Sequence, residues 1–418
     1  MLALFPGGAR LEAGVLEVGG MRATDLAERF GTPLVVYSED ALRERARMFR
    51  RAVPEALVVY GTKAFPNVAV MRLLVEEGLG ADVSTLGELA FAQRAGVPAE
   101  RLVVHGNNKT DEELRAAAAA GALVVLDALD EPARAAEAGV ERVLVRVTPG
   151  VEAETHEKIR TGHRGSKFGL DADEALEAIR AARVAGLTVE GLHVHVGSQL
   201  ADGRAHLLAV ELLAEFSVRC RTELDWTPAV IDIGGGFGIR HVEDEPEPPV
   251  EELVRTIAGA VSRGWVMRGL RAPQLIVEPG RALVGPTAFT LYTVGAVKQA
   301  GDRRYVAIDG GMSDNPRPQL YQARYAALLA NRADDVADGE FTIAGKHCES
   351  GDVLIERAEL PRPRRGDLIA VPATGAYTLA MGSNYNGVPR PAAVLVGDGD
   401  ARLILRRETI EDLLAREI

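Results

Sequence analysis

The chain reads as an α/β barrel followed by a β-rich domain: a (β/α)8 TIM-like barrel over residues 31–283 and a β-sandwich or barrel over residues 284–418, the latter joined by residues 1–30. Three observations predict this. Eight short apolar runs recur in the first part, each ending in polar or glycine residues. Helix-like segments separate most of them, and strands alternating with helices imply a parallel sheet with crossover connections. Past residue 283 helical spacing nearly vanishes and short β-type runs take over. Eight β/α units over this length match a barrel of about 250 residues better than an open doubly wound sheet, which usually has fewer strands.

Composition sets the outer limits. With 418 residues, 47% of them apolar, the chain has ample core for two domains. A net charge of −12 argues against nucleic-acid binding. Two cysteines, Cys220 and Cys348, make no disulfide framework, and a reducing cytoplasm fits them. The first ten residues lack a basic region followed by a long apolar stretch, so no secretory signal is expected. No run approaches 18 apolar residues, so no membrane span is expected.

The elements follow in order. Residues 16–18 suit a strand, 23–30 a short helix ending at Gly31, and 39–53 a helix rich in Arg, Glu and Ala. The eight apolar runs are 57–60, 81–83, 102–105, 123–126, 143–147, 192–196, 230–233 and 275–277. Helices fit 68–77, 86–95, 110–120, 132–138, 172–185, 206–224 and 249–263, and Thr110 with Glu113 spells a capping box at one helix start. In the second domain, strands fit 289–297, 304–308, 341–344, 353–358, 367–371, 392–396 and 402–406.

A barrel gathers the carboxyl ends of its strands at one mouth. Lys63 ends the first run, Asp82 and Ser84 the second, and His105 the third. His193 and His195 alternate on the sixth, followed by Gly197 and Ser198. Gly234, Gly235 and Gly236 end the seventh, and Glu278 and Arg281 close the eighth. Most lysines are solvated, but one desolvated at a strand end becomes an amine nucleophile. A glycine triplet is commonly a tight turn; after a seventh barrel strand it also suits a phosphate. His195 and Glu278, taken singly, read as a rim histidine and a salt-bridge partner of Arg281. Taken together, the set matches the needs of pyridoxal 5'-phosphate: an amine for its aldehyde, an acid for its ring nitrogen, a flat side chain (His195) under the ring, and glycines with Ser198 for its phosphate.

From Lys63 to Tyr377 the chain resembles the fold-type III decarboxylases that use pyridoxal phosphate, and within them the diaminopimelate decarboxylases. The resemblance rests on Y-G-T-K-A-F-P-N (60–67), A-D-V-S-T-L-G-E-L (81–89), H-E-K-I-R-T-G-H-R-G-S-K-F-G (156–169), G-L-H-V-H-V-G-S-Q (191–199) and D-I-G-G-G-F-G (232–238). It continues with E-P-G-R (278–281), D-G-G-M-S-D-N-P-R-P-Q-L-Y (309–321), C-E-S-G-D (348–352) and G-A-Y (375–377). Each motif alone is weak; their number and order are specific. Gly61-Thr62 and Phe65-Pro66 stand where relatives often carry alanine-rich residues, a departure that leaves the lysine in place.

The resemblance implies an alanine racemase-like barrel with a C-terminal β domain, and it implies roles. Lys63 carries the cofactor and Cys348 donates a proton. His195, Ser198, Gly234, Gly235, Gly236, Glu278, Arg281 and Tyr377 hold the cofactor. Arg281, Arg317, Tyr321, Glu349 and Tyr377 bind the substrate, Arg317 through a distal carboxylate and Glu349 through a distal ammonium. No metal is expected. A homodimer is expected in which Cys348 and Glu349 complete the partner subunit's site. The implied reaction is loss of carbon dioxide from meso-2,6-diaminopimelate to give L-lysine. Decarboxylation of ornithine, arginine or carboxynorspermidine is the alternative within the family, and a non-catalytic cofactor-binding relative the alternative outside it. Cys220, in an apolar helix, reads as core.

Overall fold

The structure is a computed structural model and describes residues 1–148 and 166–418. Of the motif at 156–169, only the last four residues are therefore among those described. The chain forms two compact units. One comprises Arg45–Gly238 and Pro248–Ala282; the other comprises Met1–Glu44, Ile239–Glu247 and Leu283–Ile418.

The first unit is a closed barrel of eight parallel strands. They are Leu57–Gly61, Gly80–Val83, Leu102–Val104, Leu123–Leu126, Arg142–Arg146, Thr188–His193, Val230–Asp232 and Gln274–Val277. The last closes on the first through Ile276↔Leu57 and Val277↔Val58. Strands covered on both faces read as continuous apolar runs rather than alternating ones. Val59, Val103, Leu123, Val125, Leu144, Val230 and Ile276 pack together as one cluster. Helices between strands start where short polar side chains cap them: Asn67 accepts from the Ala69 and Val70 amides, and Thr110 with Glu113 forms the full capping box. The sixth strand starts and stops earlier than the apolar run suggests, so residues 194–198 leave the ladder and carry His195 and Ser198 off its end.

The second unit is a β structure built on the 13-residue strand Ala288–Ala300. Its first half pairs with Leu34–Ser38 on one side and Leu368–Pro372 on the other; its second half pairs with Arg303–Ile308. Two apolar clusters follow this division. One gathers Leu16, Leu34, Val36, Phe289, Leu291 and Val394; the other gathers Tyr292, Val294, Val306, Ile343 and Val371. A three-stranded antiparallel sheet of Arg10–Glu12, Val15–Val18 and Met21–Arg22 belongs to this unit.

The structure corrects the expected boundary at residue 31. Leu34–Ser38 is a strand of the β unit, hydrogen-bonded to Ala288–Ala300 and, in parallel, to Ala392–Gly397. All five of its residues are buried. Removing such side chains from water is worth about 1.5–3 kcal/mol for each large one. The excursion Ile239–Glu247 also belongs with the β unit. Among the described residues, no helix is long and apolar enough to cross a membrane.

Candidate active site

The first barrel strand delivers Lys63 into a single 3-10 turn, Thr62–Ala64. Its neighbours pin that turn: Thr62 Oγ1 donates to the Asp82 carbonyl at 2.7 Å, and the buried Tyr60 hydroxyl donates to the Phe65 carbonyl at 3.0 Å. Lys63 is exposed while residues on either side are buried. Its charge acts on Asp82 and on His195. Burial pushes the Asp82 carboxyl up to about 6.

Beneath the mouth lies a buried quartet of His105, His193, Asp232 and Glu278, whose facing nitrogen and oxygen atoms all fall within 4.8 Å of one another. Glu278 Oε1 stands 2.6 Å from His105 Nε2, and Glu278 Oε2 stands 3.6 Å from His193 Nε2. Burial pushes the Glu278 carboxyl up, but its histidine neighbours, His105 before His193, outweigh this and hold the group well below the usual range. Burial likewise opposes charge on His105, and Glu278 with Asp82 reverses that, so His105 is raised. His193 is pushed down to about 3 by burial. Asp232 is raised well above the usual carboxylate range by burial and by Glu278. The quartet thus favours charge on Glu278 and His105 and disfavours it on His193 and Asp232. A metal is a poor occupant: two ligands of one tetrahedral ion at ~2.0–2.1 Å stand roughly 3.3 Å apart, not 2.6 Å.

The glycine triplet has a local cause. A Cβ on Gly235 would meet the Glu278 carbonyl oxygen at 2.2 Å, and Gly234 has a φ of +67°. The Gly235 amide donates to His195 Nδ1 at 3.2 Å, so the neutral ring carries its proton on Nε2. The half-buried His195 is held well below its ordinary pKa by burial and by Lys63. Arg281 is buried and donates from Nη2 to Ser198 Oγ at 3.2 Å.

The β unit carries the other expected residues. Arg317 opens the short helix Arg317–Tyr321 and is 5% exposed. Its Nη1 lies 3.0 Å from His241 Nε2 and bonds the Tyr325 hydroxyl, while its buried Nε has no hydrogen bond. Tyr377 is half-buried with a φ of 58°, a strained setting for a tyrosine. Cys348 and Glu349 are exposed. The Cys348 amide donates to Asn386 Oδ1 at 2.8 Å, and the Tyr385 hydroxyl reaches Glu349 Oε2 at 3.4 Å.

Two acids whose roles the motifs did not reveal support this loop and the barrel quartet. Asp352, buried, accepts from His347 Nδ1 at 2.7 Å and from the Met312 amide at 2.7 Å. One carboxylate therefore ties the turn before Arg317 to the loop bearing Cys348. Asp232 accepts the Gly234 amide at 2.8 Å. The signals were present in C-E-S-G-D and D-I-G-G-G, as acids at the ends of motifs, but neither motif shows that Asp352 reaches Met312 or that Asp232 joins the buried quartet.

The residues of the barrel mouth fit a planar phosphorylated cofactor on the structure's own terms. Glu278 Oε1 is buried 2.6 Å from His105 Nε2, and a carboxylate oxygen accepts more than one hydrogen bond, so it can also receive a ring-nitrogen proton. The triplet lets backbone approach backbone where a side chain would not fit. Fold and site together define an enzyme that presents an amine and an ionised acid to such a cofactor. The model of the pyridoxal-dependent decarboxylases' pyridoxal binding domain matches residues 39–285. The chain is 46% identical to the diaminopimelate decarboxylase of Actinosynnema pretiosum subsp. auranticum, covering 99% of this chain and 95% of that protein. It is 44% identical to the Bacillus subtilis (strain 168) enzyme of the same name, covering 97% and 95%. The crystal structure of diaminopimelate decarboxylase from M. jannaschii in complex with L-lysine superposes with a TM-score of 0.91 at 33% identity, covering 99% of this chain and 98% of that one. The chain belongs to the pyridoxal-dependent decarboxylase family.

Proposed function

We infer that the chain is a carboxy-lyase that takes meso-2,6-diaminopimelate to L-lysine and carbon dioxide, the last step of lysine biosynthesis. One observation carries this reading: relatives 43–46% identical over nearly the whole chain bear the name diaminopimelate decarboxylase. The site supports it. Bound pyridoxal phosphate supplies the sink for the electron pair left behind when carbon dioxide departs. Lys63 would hold the cofactor through its amine. Glu278, kept ionised by His105, holds a proton at the ring nitrogen. His195 supports the ring face, and Ser198 with Gly234, Gly235 and Gly236 receives the phosphate, aided by Tyr377.

Specificity rests on two arginines. Arg281 takes a substrate carboxylate, and Arg317, buried with a free Nε, takes the distal one, since a guanidinium forks onto a carboxylate. Tyr321 flanks Arg317, and Glu349 pairs with the distal ammonium. Cys348 returns the proton to the carbon that lost its carboxylate. Its exposure on the β unit supports a homodimer in which Cys348 and Glu349 serve the partner's barrel.

The test is carbon dioxide release from purified protein with pyridoxal phosphate, given meso-diaminopimelate, ornithine, arginine and lysine in parallel. Selective release from diaminopimelate is expected. Release chiefly from ornithine, arginine or lysine would overturn the role of Arg317, and release from none would overturn the reaction.

A further inference from the structure

We propose that Asp232 is a positioning residue that stays protonated in the working enzyme and donates its proton to Glu278, so that one buried acid joins the glycine triplet to the carboxylate that serves the cofactor's ring nitrogen. This rests on the reading of Glu278 given above. Asp232 is fully buried at the carboxyl end of the seventh barrel strand. Its Oδ1 accepts the Gly234 amide at 2.8 Å, which fixes that oxygen as the acceptor. Its Oδ2 is buried with no hydrogen-bond acceptor role filled, and Glu278 lies within the same 4.8 Å grouping.

Two carboxylates this close in a dry interior do not both ionise; one keeps a proton. The neighbours decide which. His105 faces Glu278 at 2.6 Å and favours charge there, and His193 lies beside it at 3.6 Å. Among the described residues Asp232 makes no ion pair, and its one hydrogen-bonded partner is the neutral Gly234 amide. The direction of its raised pKa agrees, with burial first and Glu278 second among its causes. Protonated, Asp232 becomes a donor, and Glu278 gains a bond that steadies its charge. The same carboxyl anchors the amide of Gly234, so the groups expected to meet the ring nitrogen and the phosphate share one support.

The isosteric variant Asp232→Asn tests this, because asparagine reproduces a protonated aspartate: its oxygen accepts from Gly234 and its amide donates to Glu278. Infrared difference spectra of the cofactor-free full chain at pH 8, above the pKa of about 6 of Asp82 and Asp314, should show a protonated carboxyl stretch in the wild type that is missing in Asp232→Asn. Asp232→Asn should bind pyridoxal phosphate and turn over within about twofold of wild type. Asp232→Ala should weaken cofactor binding by about tenfold, the cost of stranding a buried partner. If the alanine variant does not fold, the spectrum and the asparagine variant still decide. A wild type without the band, or an asparagine variant impaired tenfold, overturns the proposal. Loss of the Glu278 reading is distinguishable: Glu278→Gln would then leave cofactor binding unchanged while the Asp232 band persisted.

Discussion

The barrel mouth and the Cys348 loop solve opposite problems. At the mouth, His105, His193, Asp232 and Glu278 are all buried and set one another's charge. Cys348 and Glu349 are exposed, and their loop is held by its backbone, the Cys348 amide donating to Asn386 Oδ1 and the His347 amide to Asp352 Oδ2. The difference teaches that a group meant to keep one protonation state is best walled in by neighbours. Cys348, proposed to give up a proton, is instead left exposed.

Variants that break this contrast rank by effect. Cys348→Ala should retain the cofactor, read by its absorbance, and lose turnover by about 10²–10⁴-fold, the usual share of a positioned proton donor; full turnover would remove Cys348 from that role. Arg317→Lys should raise KM for diaminopimelate by about 10–100-fold with kcat less affected, because a buried charged hydrogen bond is worth about 1.5–3 kcal/mol and an ammonium lacks the fork. An unchanged KM would move the distal carboxylate elsewhere.

The smallest effect sharpens the buried side. Asp82 is raised from 3.8 to about 6 by burial. Its folded form binds a proton more tightly than its unfolded form, so this contribution is full below about pH 4 and lost as pH rises through about 6. Asp82→Asn should therefore stabilise the cofactor-free protein at pH 7–8, by at most about 3 kcal/mol for two pKa units, and by little at pH 4. Chemical denaturation at the two pH values checks it. A constant difference across pH would mean that burial does not control Asp82.

Much of this was legible in the sequence because barrel strands are local: an apolar run names the strand, and the residue that ends it reaches the mouth. Lys63, Asp82, His105, His195 and Glu278 were found that way. Leu34–Ser38 was missed because a strand covered on both faces carries no sign of which sheet it joins, and its partners lie at 288–291 and 392–396. Asp232 and Asp352 were missed for a related reason. A buried acid declares itself only through its partners, and those of Asp352 include Met312, forty residues away. Arg317 was legible as a charge between two prolines; that His241 and Tyr325 would hold it was not.

The most direct test of the contrast mixes the two halves. Lys63→Ala and Cys348→Ala chains carrying different tags are co-expressed, and the mixed dimers are purified through both tags. Each parent should be inactive, and a mixed dimer, with one site intact, should regain about half of wild-type activity per dimer, since a two-fold assembly places each loop opposite the other chain's barrel. Mixed dimers as inactive as their parents would contradict the account and put Cys348 beside its own Lys63.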